Sequence, residues 1–316
     1  MGLFGKTRKN AGWMAIGCQS DGVFVVHVKR PASGRPVVEL FSFYAADTAG
    51  LPAALDKLAK ELHVGRYQCT HLLTSGEYQL LSVDAPNVPP DELKNAIRWR
   101  LKDMLDYHVD DATIDVLAVP QDKSGVVRSN SLFAVAARNQ LIEQRQALFE
   151  QAKIGVRVID IPEMAQRNIS ALLEPEGRAV ALLSFNAEGG LITVTFDGEL
   201  YLSRRMDMSV TQLQQADLSQ KTALHERITL ELQRSLDHFD RQYHSMPLSK
   251  LILAPMGSEG AGLQDYLAAN LYTPVETLAL ESILDFSRVP ELNQPEVQQR
   301  YFMVLGAALR HEERAL

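Results

Sequence analysis

One order of segments is written twice along this 316-residue chain, and that repeat constrains the fold more than any single motif. Trp13 to Cys18 is a short apolar run, followed by Val23 to Val28 and Val37 to Tyr44. The last two are rich in Val, Phe and Tyr and are parted by the turn-rich PASGRP, as strands are. Leu51, Ala54, Leu55, Leu58 and Leu62 then recur at helical spacing, and His63-Val64-Gly65 ends that helix. Cys69 to Leu73 reads as a buried strand. The order strand, strand, strand, helix, strand returns about 165 residues further on. Val180 to Phe185, Leu191 to Phe196 and Leu200 to Met206 are the three strands, with Asp197-Gly198 as a tight hairpin turn. A long helix carries Leu224, Ile228, Leu232, Leu236, Phe239 and Tyr243 on one stripe. Leu251 to Ala254 follows as a short strand, and Leu263, Tyr266, Leu267 and Leu271 mark another helix. The halves repeat in element order and not in residues.

Between the copies lies an insert, placed at 85–159. It opens at PNVPP, a stiff loop that pre-sets a helix start. Leu93, Ile97, Leu101, Met104 and Leu105 line one face of that helix. Strand-like Thr113 to Val119 and Leu132 to Ala137 are joined by the polar QDKSGVVRSN. A second helix carries Leu141, Leu148, Phe149 and Ala152, with Gly155 as its expected left-handed stop. A final helix carries Val297, Tyr301, Val304, Leu305 and Ala308. The expected divisions are therefore 1–84, completed by 160–178 and the helix at 295–314; the α+β insert 85–159; and 179–316, with a helical part at about 207–247.

Composition narrows the function. The chain is 46% hydrophobic, so a core of this size needs no disulfide or metal staple. Its net charge of -7 argues against nucleic-acid binding. Cys18 and Cys69 make neither a disulfide framework nor a zinc spacing, which fits a reducing cytoplasm. No apolar run approaches a membrane span; the longest candidate, Tyr301 to Leu309, contains Gly306. The opening MGLFGKTRKN has no secretory apolar region. Its Leu3, Phe4, Lys6, Arg8 and Lys9 read either as a solvated tail or as a contact with an anionic membrane surface.

A doubled strand-strand-strand-helix-strand pattern is the element order of actin-like ATPases. The stretches GLFGK, VPPDELKNAIRWRLKDML, LFAVAARNQLIEQ, ELQRSLDHF, KLILAPMGSEGAGLQDYLAANLYTPVE and VLGAALR follow in an order and spacing that resembles one family over nearly the whole chain. That family is the type IV pilus assembly PilM family, with the closest likeness to its mannose-sensitive haemagglutinin (MSHA) branch, MshI. The resemblance implies an actin-like (FtsA/PilM-like) α/β fold of duplicated βββαβ lobes with an inserted small α+β subdomain. It also implies a nucleotide held between the lobes by two strand-turn-strand loops, each opening on an Asp, and by a Gly-rich adenosine loop.

This chain departs from the family at those loops. Where the family has D-x-G-x-x-S, the first loop has Ala15 for Asp, keeping Gly17 and Ser20. In the second, Ser184 replaces Asp and Asn186 replaces Gly. In the adenosine loop, Pro255 and Met256 replace glycines and Gly257 remains. Loss of both carboxylates removes the groups that organise Mg²⁺ and polarise water. Pro255 also lacks an amide donor, and Met256 adds bulk. The expectation is no ATP hydrolysis, no required cofactor or metal, and weak or absent ATP binding.

Several other residues carry two readings. Trp99 is a core or subdomain-joint residue, or an aromatic anchor for a partner. Glu231 and Arg234 form an intrahelical ion pair or flank a vestigial adenosine site. Arg204-Arg205 is a solvated sheet edge, or, by resemblance, lies near the interlobe cleft. His225, His238 and His244 fall off any common ligand face, and Asp110-Asp111 reads as a cap.

By resemblance the chain is a non-catalytic cytoplasmic scaffold at the inner membrane of a bacterium. It binds the N-terminal segment of a PilN-like single-pass inner-membrane protein and faces the pilus extension ATPase; assembly of several copies is left open. The peptide groove implied lies between the first subdomain and the insert, with backbone pairing to a strand edge. Its expected walls are Tyr78 to Val83 and Leu132 to Ala137, with Tyr78, Leu80, Val83, Trp99, Leu132 and Ala134 as candidate contacts. The competing reading is an active actin-like ATPase or phosphotransferase using Asp21 and Glu188 as replacement acids. A third is the cytoplasmic region of the type II secretion protein GspL, which continues into a membrane helix.

Overall fold

A computed structural model describes residues 10–89, 92–120, 131–257 and 260–311. The tail with Leu3, Phe4, Lys6, Arg8 and Lys9, the QDKSGVVRSN loop and Ser258 lie outside the described residues.

The repeat is realised as two sheets of the same topology. In the first, β1 (Trp13–Gln19), β2 (Gly22–Lys29) and β3 (Val37–Ala45) form an antiparallel meander, and α1 (Leu51–Glu61) crosses over to β4 (Gln68–Leu72), parallel to β1. Five later segments intervene: β5 (Gln79–Asp84), α2 (Leu93–Leu101), β6 (Ala112–Ala118), β7 (Ser131–Arg138) and α3 (Asn139–Gln151). Then β8 (Val156–Asp160) joins β4 in parallel, giving the order β3-β2-β1-β4-β8. After α4 (Pro162–Ser170) come β9 (Ala179–Asn186), β10 (Gly189–Phe196) and β11 (Glu199–Met206). Helices α5 (Val210–Gln215) and α6 (Leu218–Gln242) lead to β12 (Leu248–Leu253), α7 (Gly260–Asn270) and β13 (Val275–Thr277). The second sheet runs β11-β10-β9-β12-β13, the same pattern. The β10–β11 turn has Asp197 at φ 53° and Gly198 at φ 74°, the double left-handed geometry that matches strand twist.

Helix α8 (Pro295–Ala308) returns to the first sheet and lies across α4, so the lobes share one core. Ala15, Phe24 and Val26 of the first sheet, Val180 and Leu182 of the second, and Val304 and Leu305 of α8 belong to one buried cluster. The helices touch where Gly306 meets Ala165; a side chain there would overlap the Ala165 carbonyl oxygen.

The insert is a three-stranded sheet, β5-β7-β6, so the strand before the PNVPP loop belongs to it. Period-two alternation splits its faces. Leu81, Val83, Leu132, Ala134 and Val116 pack with Ile97 and Leu101 of α2. Leu80, Val135, Ala137 and Leu117 face the first lobe. Two expectations need correction. Helix α2 ends at Leu101, so Met104 lies beyond the stripe and is 45% exposed. The left-handed residue after α3 is Lys153 (φ 57°), not Gly155.

Candidate functional site

The residues that the resemblance assigns to a nucleotide are embedded in the lobe junction. Ala15 is fully buried in mid-strand β1, opposite Val26 and Thr70. Gly17 lies under α8, with Val304 Cγ2 3.0 Å from where its side chain would begin. Ser20 is exposed in the turn beside Asp21, whose carboxylate accepts from Arg300 Nη2 at 2.8 Å. The same guanidinium stacks on Phe24 and Phe43, at 5.1 and 4.8 Å from the ring centres.

The second loop is also closed on itself. Buried Ser184 donates to Gln166 Oε1 at 2.6 Å, and Gln166 Nε2 donates to the Leu182 carbonyl at 2.6 Å and Thr193 Oγ1 at 3.0 Å. A neutral, hydrogen-bonded group therefore stands where the resemblance leads one to expect a carboxylate. Asn186 Oδ1 accepts from the Glu188 and Gly189 amides at 2.9 and 3.1 Å and holds the hairpin turn. Gly257 (φ 58°) packs against Glu296 of α8, and Pro255 and Met256 are buried. Glu231 and Arg234 form an exposed intrahelical pair at 3.3 Å. Among the described residues no group of three or more His, Cys, Asp or Glu is placed to hold a metal ion. These residues do not fit a metal-bound nucleotide: neither loop offers a carboxylate where the ion belongs, and a helix covers the first glycine.

Asp21 is thus spent on Arg300. Glu188 Oε2 accepts the Ser75 amide at 2.9 Å and the Ser75 hydroxyl, across the lobes. Beside it, Arg205 of β11 donates to Glu163 Oε1 at 2.8 Å and to the Tyr78 hydroxyl, which itself donates to Glu163 Oε2. Arg205, on the edge strand β11 and still partly exposed, therefore also serves as a joint between the lobes. Burial, then the Glu163 charge, pushes the Tyr78 hydroxyl well above its ordinary pKa.

The cavity lies elsewhere, between the first lobe and the insert. It holds about 330 Å³. Val156, Val158 and Ile159 of β8 form one wall, Val135 and Ala137 of β7 and Thr113 of β6 the other, and Ile142, Arg145 and Phe149 of α3 the base. β8 and β6 are both edge strands, so each side offers unpaired main-chain groups. Arg145 Nε donates to Glu77 Oε1 at 2.7 Å, neutralising the charge of the base. His71 lines the same base beside Phe149, the two rings tilted with centres 4.7 Å apart. Its Nδ1 donates to the Ile16 carbonyl at 3.0 Å, and burial lowers its pKa to about 4, so it stays neutral.

The expected contacts fall around this cleft but not in it. Val83, Leu132 and Ala134 point to the opposite face, into the core under α2. One residue of register separates them from Val135 and Ala137, which do line it. Tyr78 is consumed by the lobe joint, and Leu80 packs in the layer between insert and first lobe. Trp99 is 76% exposed on α2, so it is neither core nor subdomain joint. The wall from β8 escaped sequence reasoning; the alternation in VRVI was its one signal.

Residues 81–223 match the family model described as type IV pilus assembly protein PilM. Among curated proteins no sequence matches. Among solved structures, the chain is similar to a "PilM-PilN type IV pilus biogenesis complex" with a TM-score of 0.74 at 17% identity, covering 95% of this chain and 98% of that one. It is also similar to a Bacteroides thetaiotaomicron protein with an actin-like ATPase fold, with a TM-score of 0.51 at 11% identity, covering 90% of this chain and 96% of that one. The fold is that of actin-like ATPases.

Proposed function

Because this chain is PilM-like in its central sequence and in its fold, we propose that it is a non-catalytic scaffold of a type IV pilus machine of the MSHA type. In this reading it captures the short N-terminal segment of a PilN-like inner-membrane protein and carries the link onward to the assembly ATPase. The observation that carries the reading is the cleft between β8 and the insert, largely apolar with Arg157 on one wall and Asp115 on the other, and flanked by two unpaired strand edges. An extended peptide entering such a cleft gains main-chain hydrogen bonds from an edge and specificity from apolar side-chain pockets. The relative is named as a complex with PilN, which supports a partner of that kind.

The partner supplies the membrane attachment. Among the described residues no helix is long and apolar enough to cross a bilayer. A cytoplasmic position at the inner-membrane face follows from capture of a membrane protein's tail.

A catalytic reading has weak support. Ala15 offers no ligand atom, the buried Ser184 hydroxyl is engaged by Gln166, and the two spare acids, Asp21 and Glu188, are engaged by Arg300 and Ser75. The test is calorimetric titration with two ligands. A synthetic peptide of the partner's first fifteen residues is expected to bind one-to-one, and Val158→Asp to abolish that binding. Mg·ATP is expected to give no saturable heat. A silent peptide titration would remove the scaffold mechanism, and tight Mg·ATP binding would restore the enzyme.

A further inference from the structure

The segment Ser75–Tyr78 joins β4 of the first sheet to β5 of the insert, and it is gripped from two directions. From the second lobe, Glu188 takes the amide and hydroxyl of Ser75, and Arg205 holds the Tyr78 hydroxyl. From the cleft, Arg145 donates to Glu77 Oε1 through Nε at 2.7 Å and also through Nη2. Glu77 Oε2 meanwhile accepts the Thr74 amide at 2.7 Å, locking the turn. A carboxylate seated on a main-chain N–H and the neighbouring hydroxyl is bound as an oxyanion is bound in a turn. Glu188 stands on the hairpin loop where the resemblance expects a phosphate contact, and it reaches the opposite lobe itself.

We propose that Glu188 is a built-in anion that, above the shared core and beside the Arg205 joint, keeps the mouth between the lobes closed without a nucleotide and, through Ser75–Tyr78 and the Glu77–Arg145 pair, sets the width of the peptide cleft. The width claim stands on the contacts alone; its consequence for affinity rests on the peptide reading above. Lobe closure and peptide binding are then two readouts of one equilibrium, and each must shift the other by the same factor.

The experiment uses full-length protein carrying pairs of spin labels. Lys57→Cys with Glu226→Cys reads the distance between lobes, and Arg66→Cys with Asp103→Cys, both exposed and outside the cleft lining, reads the insert against the first lobe and so the cleft. The native Cys18 and Cys69 are buried and do not take label. Glu188 is exposed, so Glu188→Ala leaves the fold intact. Without any peptide, Glu188→Ala is expected to lengthen and broaden both distance distributions. The partner's fifteen-residue peptide is expected to bind about tenfold more weakly and to draw both distributions back. In a Glu77→Gln background the Glu188→Ala change is expected to move the lobe pair but leave the cleft pair and the peptide affinity unchanged. Superimposable lobe distances in the two proteins would overturn the latch. Lobes that open while the cleft pair stays still would overturn the coupling. If the peptide fails to bind the unaltered protein, the partner reading falls while the two distances still decide the latch.

Discussion

His71 states the cost of a buried neutral imidazole. Its folded pKa of about 4 lies below the 6.5 of an unperturbed histidine, because burial penalises the charged ring. Between those values the unfolded chain binds a proton that the native state refuses. The stability it permits is complete above about pH 6.5 and is lost as pH falls toward 4. We expect this residue alone to remove roughly 2–3 kcal/mol between pH 7 and pH 4.5. Urea unfolding at the two pH values should show that difference shrinking in His71→Phe; an unchanged difference would refute it. The same scale shows what a sequence can and cannot report. The missing carboxylates at Ala15 and Ser184 are legible as letters. What packs around these loops is not, because Val304 over Gly17 and Gln166 beside Ser184 come from other segments. Asp21 and Glu188 look like spare acids until Arg300 and Ser75 are seen beside them.

Among the elements, the two meanders and their hairpins follow from alternation and turn chemistry, as Asp197-Gly198 illustrates. Helix α4 could not be read that way. All nine of its residues, PEMAQRNIS, are buried between the lobes although Glu163, Gln166, Arg167, Asn168 and Ser170 are polar, so its composition reads as a solvated surface segment and not as core. Its polar side chains are paired inside instead, Glu163 with Arg205, Gln166 with Ser184, and Asn168 with the Gly306 carbonyl. β8 is short, with exposed Arg157 near its start, and the alternation of side chains along β7 decided which of its faces met the cleft. The α4–α8 crossing gives the sharpest test. Gly306→Ala puts a methyl group into the Ala165 carbonyl oxygen, and the backbones must separate. A loss of about 3 kcal/mol is expected, read as a drop in the denaturation midpoint. A near-neutral effect would mean that the helices are not in close contact.

At the scale of the whole molecule, the repeated order was visible in the sequence, and both sheets have the same strand order. The cleft was not, since it forms between edges that meet only after the insert folds back. Two lobes commonly unfold in separate steps. Here one buried cluster takes residues from both sheets, α4 and α8. We therefore expect a single calorimetric transition, with coincident midpoints from far-ultraviolet dichroism and from fluorescence of Trp13 and Trp99. Two resolved transitions would show that the shared core does not bind the lobes into one unit.

The placement of α8 carries a consequence for biosynthesis. Its Val304 and Tyr301 roof strands made some 280 residues earlier, Gly17 and Phe24 among them. During translation the β1–β3 meander therefore emerges with its apolar underside bare and stays so until α8 too has left the ribosome. Domains commonly fold in the order in which they are made; this meander must wait for α8, and a chaperone has that interval in which to act.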